Sequence, residues 1–365
     1  MFRKSLIAGF ALFSILFGSG NLVFPLLVGK RFPGDWGVAS FGWSVAAVLL
    51  PILGYYGAVL FNADAKKYLA PLGKYVTAAL IFIIMMLIGP FGAIARNINV
   101  SLGCMVVVAP NISNVAFNFV YCVIMVFLAW NPNRLVQILG SVFAPLKLMG
   151  VAIVILGGSC FCALKGNTNF SNESTVNVFI EGFKTGYQTM DLLAAIATAS
   201  SIYLYIKNSL PKNKQEDKKE LLKSYGYACV VGSIILVAVY TGLIFASSRC
   251  SLLLAGAPDE EIFAKIADVA IGSYASWFVA VVTTVCCLAT NIALSSIFID
   301  YVYEEFCKEK FSRHVILVVV GAIAFVMSLL GFARLCSFLG AILEKVYPLL
   351  IIFVVGRIVH YYVKR

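Results

Sequence analysis

Ten apolar windows follow one another along the chain, near residues 5–29, 37–61, 75–108, 115–130, 134–164, 175–206, 223–247, 273–304, 314–331 and 334–360, the fourth and ninth of them short. Crossing about 30 Å of hydrocarbon takes roughly 20 apolar residues of helix, so the windows read as membrane spans. Lipid offers the backbone no hydrogen-bonding partner, and a chain of such windows therefore folds as a helical bundle. With 61% hydrophobic and 12% charged residues and a mean hydropathy of +0.94, a water-soluble globule is excluded. The expected class is an all-α polytopic membrane protein, one membrane domain over residues 1–365.

The net charge of +11 raises the question of nucleic acid, and the placement of the charges answers it. With the N-terminus inside, 18 of the 28 Lys and Arg fall in cytoplasmic segments, including six in the loop region 207–223. Six fall outside (Lys30, Arg31, Lys165, Arg249, Lys265, Arg334), and Arg96, Lys147, Lys184 and Lys345 remain within spans. This bias predicts both termini in the cytoplasm and accounts for the basic excess without nucleic acid. The start "MFRKSLIAGFALFSILFGSG" resembles a signal peptide, but its apolar run is too long and lacks a small-x-small cleavage site, so it is kept as the first span. Cys104, Cys122, Cys160, Cys162, Cys229, Cys286, Cys287 and Cys336 lie in or beside apolar spans without metal-ligand spacing and read as packing residues.

Within the first span, "GSGNLVFP" (Gly18 to Pro25) places glycines, a serine, an asparagine and a proline at depth. About 15 residues of helix from Ser5 rise about 22 Å, which puts this stretch well inside the bilayer. Non-helical backbone is tolerated there only if buried in protein or lining a wet cavity. Close helix contact through Gly18 and Gly20 is the competing explanation. The sixth span repeats the pattern in "EGFKTGYQTMDLLAAI", with Gly182, Thr185, Gly186, Gln188, Thr189 and Asp191. Five spans precede it, so the second half enters from the opposite face, and residues 5–164 and 175–360 are poised as inverted repeats, each led by an interrupted helix. That pairing is the sequence signature of a central transport site.

The stretches "FALFSILFGSGNLVFP", "GPFGAIARNINVSLG", "FAPLKLMGVAIVIL", "GFKTGYQTMDLLAAI", "CLATNIALSS" and "LEKVYPLLIIFVV" resemble, in order and over essentially the whole chain, the bacterial branched-chain amino acid:cation symporters, the BrnQ-type carriers of the amino acid–polyamine–cation superfamily. The resemblance implies the LeuT-type five-plus-five inverted repeat with helices 1 and 6 broken. It also implies import of leucine, isoleucine and valine across the cytoplasmic membrane, typically with sodium, and no other cofactor. One departure is that family members usually carry about two further helices after the tenth.

On that footing, backbone groups of Gly18, Ser19, Gly20 and Asn21 are expected to receive the substrate carboxylate, and carbonyls from Phe183 to Gly186 its ammonium group. Phe17, Phe183, Tyr187 and Met190 are candidates for the aliphatic pocket. A sodium site is expected where Thr290 meets carbonyls around Ser14 and Phe17, with Cys287 and Asn291 on the same face of the eighth span by i, i+3 and i+4 spacing. Asn21 with Thr185 is a possible second site. For Thr290 the competing use is a bond to its own preceding carbonyl. A charge at a helix centre costs about 2.5–3.5 kcal/mol on the insertion scale, so Lys147 needs a function or a partner. Either its ammonium replaces the ion, favouring proton coupling or uncoupled exchange, or it pairs with Asp191 as a structural tie. Arg96 and Lys184 read as snorkelling or satisfied interior charges.

Only two histidines occur, His314 and His360, and no paired acid and nucleophile has usable spacing, so an enzyme is not expected. No repeated filter sequence suggests a channel. A non-transporting sensor on the same scaffold and a carrier of methionine stay open at this stage, and no obligate protein partner is evident.

Overall fold

A computed structural model describes residues 2–130, 144–161, 173–210, 217–307 and 311–364. The first part of the fifth span (134–164), the centre of the loop 207–223, Arg134, Cys162 and Lys165 lie outside the described residues. So does the side chain of Ser14.

The described chain is helical. Helix α1 (Phe2–Leu16) is followed by α2 (Gly20–Arg31), then by α3 (Trp36–Leu60), which carries a π turn at Val45–Leu49. A short helix α4 (Ala65–Leu69) leads to α5 (Lys74–Ile88), α6 (Ala93–Val108) and α7 (Asn114–Ala129). The second half contributes α8 (Ala144–Phe161), α9 (Thr175–Tyr187), α10 (Asp191–Ser209) and α11 (Lys218–Arg249). It closes with α12 (Ile262–Ile271), α13 (Ser273–Val302), α14 (Arg313–Ser328) and α15 (Phe332–Val363).

Among the described residues, five stretches are long and apolar enough to cross a membrane: 36–60, 74–108, 218–249, 273–306 and 332–363. A sixth is added if α9 and α10, bent by 42° at their junction, form one span. Helices α7 and α14, at 16 residues each, rise only about 24 Å, in line with the two short windows of the sequence.

Helix starts differ in how they are capped. Ser113, Ser174, Asp217 and Ser312 each accept a first-turn N–H through the side chain, fixing the starts of α7, α9, α11 and α14. The starts of α2 and α10 are buried and receive no side-chain cap, from Ser19 or from Met190. A helix leaves its first N–H groups without intrahelical partners, so these two starts place free donors in the interior.

The continuous window 75–108 is broken as well, at Gly89 to Gly92, between α5 and α6. A Cβ at Gly92 would lie 1.9 Å from the Leu87 carbonyl oxygen, so the turn admits only glycine there. Sequence hydropathy gives no hint of this interruption, because proline, phenylalanine and glycine are all compatible with an apolar run.

Packing is pairwise across the two halves. Helix α1 lies on α11, α9 lies on α3, α6 on α13 and α7 on α14. Glycines permit a close crossing of α9 and α3: a Cβ at Gly182 of α9 would meet the Ala39 carbonyl oxygen of α3 at 2.3 Å, and one at Gly42 would meet the Phe179 carbonyl oxygen at 2.2 Å. Gly186, expected to help unwind the sixth span, belongs to the same contact, 2.8 Å from the Ala46 methyl and 3.0 Å from the Trp43 carbonyl oxygen by the position of its missing Cβ. Helix α9 therefore runs through Gly182 and Gly186 to Tyr187, and the interruption falls at Gln188 to Met190. Small residues here serve backbone approach, as is common between membrane helices.

Candidate functional site

The two buried helix starts face the same region. Helix α1 ends at Leu16, whose carbonyl accepts the Gly18 N–H at 2.8 Å, and α2 restarts at Gly20 with Ser19 accepting from Leu22 and Val23. At the other break, Thr189 N–H bonds the Gly186 carbonyl at 3.3 Å and Met190 N–H the Tyr187 carbonyl at 3.1 Å, before α10 begins at Asp191. Met190 adopts φ 65° and ψ 19°, a left-handed conformation that disfavours a non-glycine residue by about 1–2 kcal/mol. Nothing in the sequence marks that residue for it.

A polar bridge joins the breaks. The Asn21 side-chain amide donates to Asp191 Oδ2 at 2.6 Å and also to the Tyr240 hydroxyl on α11. Asp191 sits in the first turn of α10, where a carboxylate meets the positive end of the helix. Behind this bridge Phe17 stacks on Tyr240 with ring centroids 5.9 Å apart, and Trp43 meets Tyr240 edge-on at 5.8 Å.

Two buried cations serve the breaks. Lys147 on α8, 9% exposed, donates from Nζ to the Phe17 carbonyl, one of those the interruption leaves outside α1, and lies 4.9 Å from the centre of the Phe17 ring. Among the described residues it makes no ion pair with Asp191, whose carboxylate is engaged by Asn21, so the structural tie that the sequence allows is not formed. Arg96 on α6, 3% exposed, reaches the other break: Nη1 donates to the Gln188 carbonyl at 2.7 Å and Nη2 to the Thr189 carbonyl at 3.2 Å. The carbonyls that Arg96 engages, those of Gln188 and Thr189, lie just beyond the Phe183 to Gly186 stretch of the sequence expectation. Arg96 was readable from the sequence as an interior charge, but its partners were not.

The remaining sequence candidates separate into those near the breaks and those elsewhere. Gly18, Ser19, Gly20 and Asn21 are at the α1–α2 junction, with Phe17 fully buried against Tyr240. Phe183 is only partly buried and packs on Phe179 and Tyr187, while Tyr187 packs on Tyr347 at 5.0 Å, and Met190 is buried. Thr185 bonds the Glu181 carbonyl at 2.8 Å and Thr290 the Cys286 carbonyl at 3.0 Å, both within their own helices. Asn291 accepts from Asn97 at 2.5 Å and donates to the Ile94 carbonyl at 3.1 Å and to Tyr121 at 3.3 Å. Its face of α13 is therefore turned to α6 and α7. Cys287 and Cys286 lie within electrostatic reach of Lys147. Lys184 is exposed and pairs with Glu181 at 3.3 Å. Among the described residues no cluster of His, Cys, Asp and Glu has a metal-binding arrangement.

The Asn97–Asn291 pair gives a direct prediction. Asn291→Leu is expected to destabilise the protein by about 1–3 kcal/mol, because it leaves the buried Asn97 amide and the Ile94 carbonyl without that partner. The double change Asn97→Leu with Asn291→Leu is expected to recover part of the loss. Thermal unfolding of the four proteins in detergent, read as a double-mutant cycle, checks it.

A cavity of about 500 Å³ adjoins the second break, lined by Phe24, Thr185, Gln188, Phe332 and Cys336 and flanked by Lys30 and Asp259. The site as a whole offers free N–H groups at one helix start, unwound carbonyls at another, and a nearby cavity with apolar and polar walls. Such a site can receive a small zwitterion bearing an apolar side chain.

The family described as "Branched-chain amino acid transport protein" matches residues 1–365. The branched-chain amino acid permease BrnQ of Bacillus subtilis (strain 168) is 29% identical over 367 residues, covering 95% of this chain and 79% of its own length. The branched-chain amino acid transport system 3 carrier protein of Pseudomonas aeruginosa is 27% identical over 359 residues, covering 96% and 80%. BrnQ of Escherichia coli (strain K12) is 26% identical over 359 residues, covering 95% and 78%.

Proposed function

Because the chain belongs to the branched-chain amino acid transport protein family, a family of carriers and not of enzymes, we propose that it imports leucine, isoleucine and valine by alternating access. The observation that carries this reading is the meeting of two buried, uncapped helix starts, bridged by Asn21 and Asp191. The N-terminus of α2 receives the substrate carboxylate, and the carbonyls left by the α9–α10 interruption receive its ammonium group. Phe24, Phe332 and the aromatic residues at the junction supply apolar surface for a branched side chain.

A LeuT-type inverted repeat accounts for the helix pairing. Exchanging the first five spans with the second five turns the α1–α11 contact into the α9–α3 contact and leaves the α6–α13 and α7–α14 contacts as they are. In this reading α1 with α2, and α9 with α10, are single spans broken at depth. Both termini lie in the cytoplasm of a bacterial inner membrane. The disulfide at Cys250, at the end of α11, is consistent with an oxidising outer face on the side that the positive-inside bias assigns to it.

Sodium is the coupling ion that the resemblance implies, but the position of Lys147 favours a second reading. Its ammonium already serves the Phe17 carbonyl, one of the oxygens on which the first sodium site was expected to rest. Binding or release of a proton at Lys147 then does the work of a cation, and proton-coupled transport or exchange follows. The test is uptake of labelled leucine into proteoliposomes under an imposed sodium gradient and, separately, under an imposed proton gradient, with isoleucine, valine and methionine as competitors. Leucine uptake competed by isoleucine and valine is expected. No saturable uptake under either gradient or in counterflow would overturn the carrier reading and favour a sensor.

A further inference from the structure

Arg96 is not explained by holding helices together. It reaches across from α6 to a break in another span, and a Cβ on Gly20 would lie 2.7 Å from Nη2 and 3.0 Å from Cζ. The guanidinium is therefore seated against the first residue of α2 while it holds the Gln188 and Thr189 carbonyls at the start of α10. It also lies 5.3 Å from the centre of the Phe24 ring. Among the described residues its Nε has no hydrogen-bond partner, and neither has the Ser19 hydroxyl, 2% exposed, at the same helix start. A buried guanidinium N–H, a buried hydroxyl and the free N–H groups of a helix N-terminus thus occur together. They are all donors, and donors gathered in this way want an anion.

We infer that Arg96 is the carboxylate anchor of the substrate site and that, before substrate arrives, it plugs the ammonium acceptors. This rests on the transport reading above and deepens it. In the arrangement seen, the guanidinium occupies the two carbonyls that an incoming ammonium group needs. A substrate carboxylate at the start of α2 gives Arg96 a charged, bidentate partner in place of two neutral carbonyls, which is the stronger contact. Arg96 turns from Gln188 and Thr189 to the carboxylate, and the released carbonyls take the ammonium group. A molecule lacking either charge completes only half of the exchange, so one residue makes the site selective for α-amino acids over amines and amides. The side chain of the substrate plays no part in this step, and the inference is separable from branched-chain preference.

The experiment compares binding of leucine and leucinamide to purified protein by calorimetry, at a mildly acidic pH where both amines are protonated. The same comparison is made with methionine and alanine and their amides. The wild type is expected to prefer leucine over leucinamide by about 100-fold, the range for losing a charged hydrogen-bonded partner. Arg96→Gln is expected to reduce that ratio to less than about tenfold by weakening the acid while the amide holds or tightens, since its carbonyls are no longer plugged. Gly20→Ala, which drives a methyl into the guanidinium while leaving every residue of α6 unchanged, is expected to narrow the ratio in the same direction, and Arg96→Lys to keep part of it.

A wild type that binds acid and amide alike overturns the inference, whether or not any variant folds. Equal weakening of acid and amide in the Arg96 variants also overturns it and makes Arg96 a structural tie. If alanine or methionine binds and leucine does not, the branched-chain reading fails while the acid-to-amide ratio of the bound pair still decides the role of Arg96. Binding of no amino acid overturns both.

Discussion

Lys147→Met is expected to abolish proton-driven accumulation of leucine, by at least about 100-fold, while leaving the protein folded in the membrane. The magnitudes explain why the two effects separate. Removing the ammonium leaves the Phe17 carbonyl without its partner, a loss of about 1–3 kcal/mol. It also removes the cation–π contact with the Phe17 ring, worth about 0.5–2 kcal/mol. Against this, an uncharged chain of similar volume is spared the insertion cost of a charge, about 2.5–3.5 kcal/mol. Stability is therefore nearly unchanged, whereas the titratable cation at the α1 break is gone. Proteoliposomes with an imposed proton gradient measure the accumulation, and counterflow of leucine in the same vesicles reports whether the site still binds and exchanges. Proton-driven accumulation at the wild-type level in Lys147→Met would remove Lys147 from coupling. Strict sodium dependence of the wild type would return Lys147 to a structural role.

The second large effect is on packing. Gly182→Val is expected to prevent stable assembly of α9 on α3, because even a Cβ would stand 2.3 Å from the Ala39 carbonyl oxygen, and that neighbour is backbone. Overpacked sites usually lose about 1–3 kcal/mol, and a rigid backbone neighbour puts this one at or above the top of the range. Gly186→Val meets the Trp43 carbonyl and the Ala46 methyl and is expected to act in the same way, more mildly, at 3.0 and 2.8 Å. Gly226→Ala, where an added Cβ has nothing within 4 Å, is the control expected to behave as wild type. Size-exclusion profiles and thermal unfolding in detergent distinguish the three. A Gly182→Val protein as monodisperse and as stable as wild type would mean that α9 and α3 are not held at this distance.

The same glycines show where reading the sequence stops. Gly182 and Gly186 are conspicuous in an apolar run, and a run of small and polar residues admits two explanations, a break or a close crossing. Both occur within ten residues of one another: the crossing at Gly182 and Gly186, the break at Gln188 to Met190. The break fell at a methionine with positive φ, a residue type that gives no local signal. In the first apolar window, by contrast, "GSGN" coincides with the junction of two helices, α1 ending at Leu16 and α2 starting at Gly20.

The candidate site was legible by residue type and only partly by partner. Asn21, Asp191 and Lys147 stand out because polar groups in an apolar span need a reason, and all three are at the breaks. Thr290 and Asn291 satisfy the same criterion, yet Thr290 bonds its own helix and Asn291 ties α13 to α6 and α7. Tyr240 carries no local signal, since a tyrosine in a long apolar helix has many uses, and only its position opposite Asn21 brings it to the junction.

The sequence by itself determined that this is a helical membrane protein, where α3, α7, α11, α13, α14 and α15 lie, and which family it belongs to. Those properties follow from hydropathy, helix length and local order, all of which are carried by neighbouring residues. Only the tertiary structure decided that Arg96 faces Gly20, that Lys147 meets Phe17 rather than Asp191, and that Asn291 bonds α6 and α7. A buried polar group must find a partner, but which one it finds depends on how helices distant in sequence cross, and hydropathy carries no information about that.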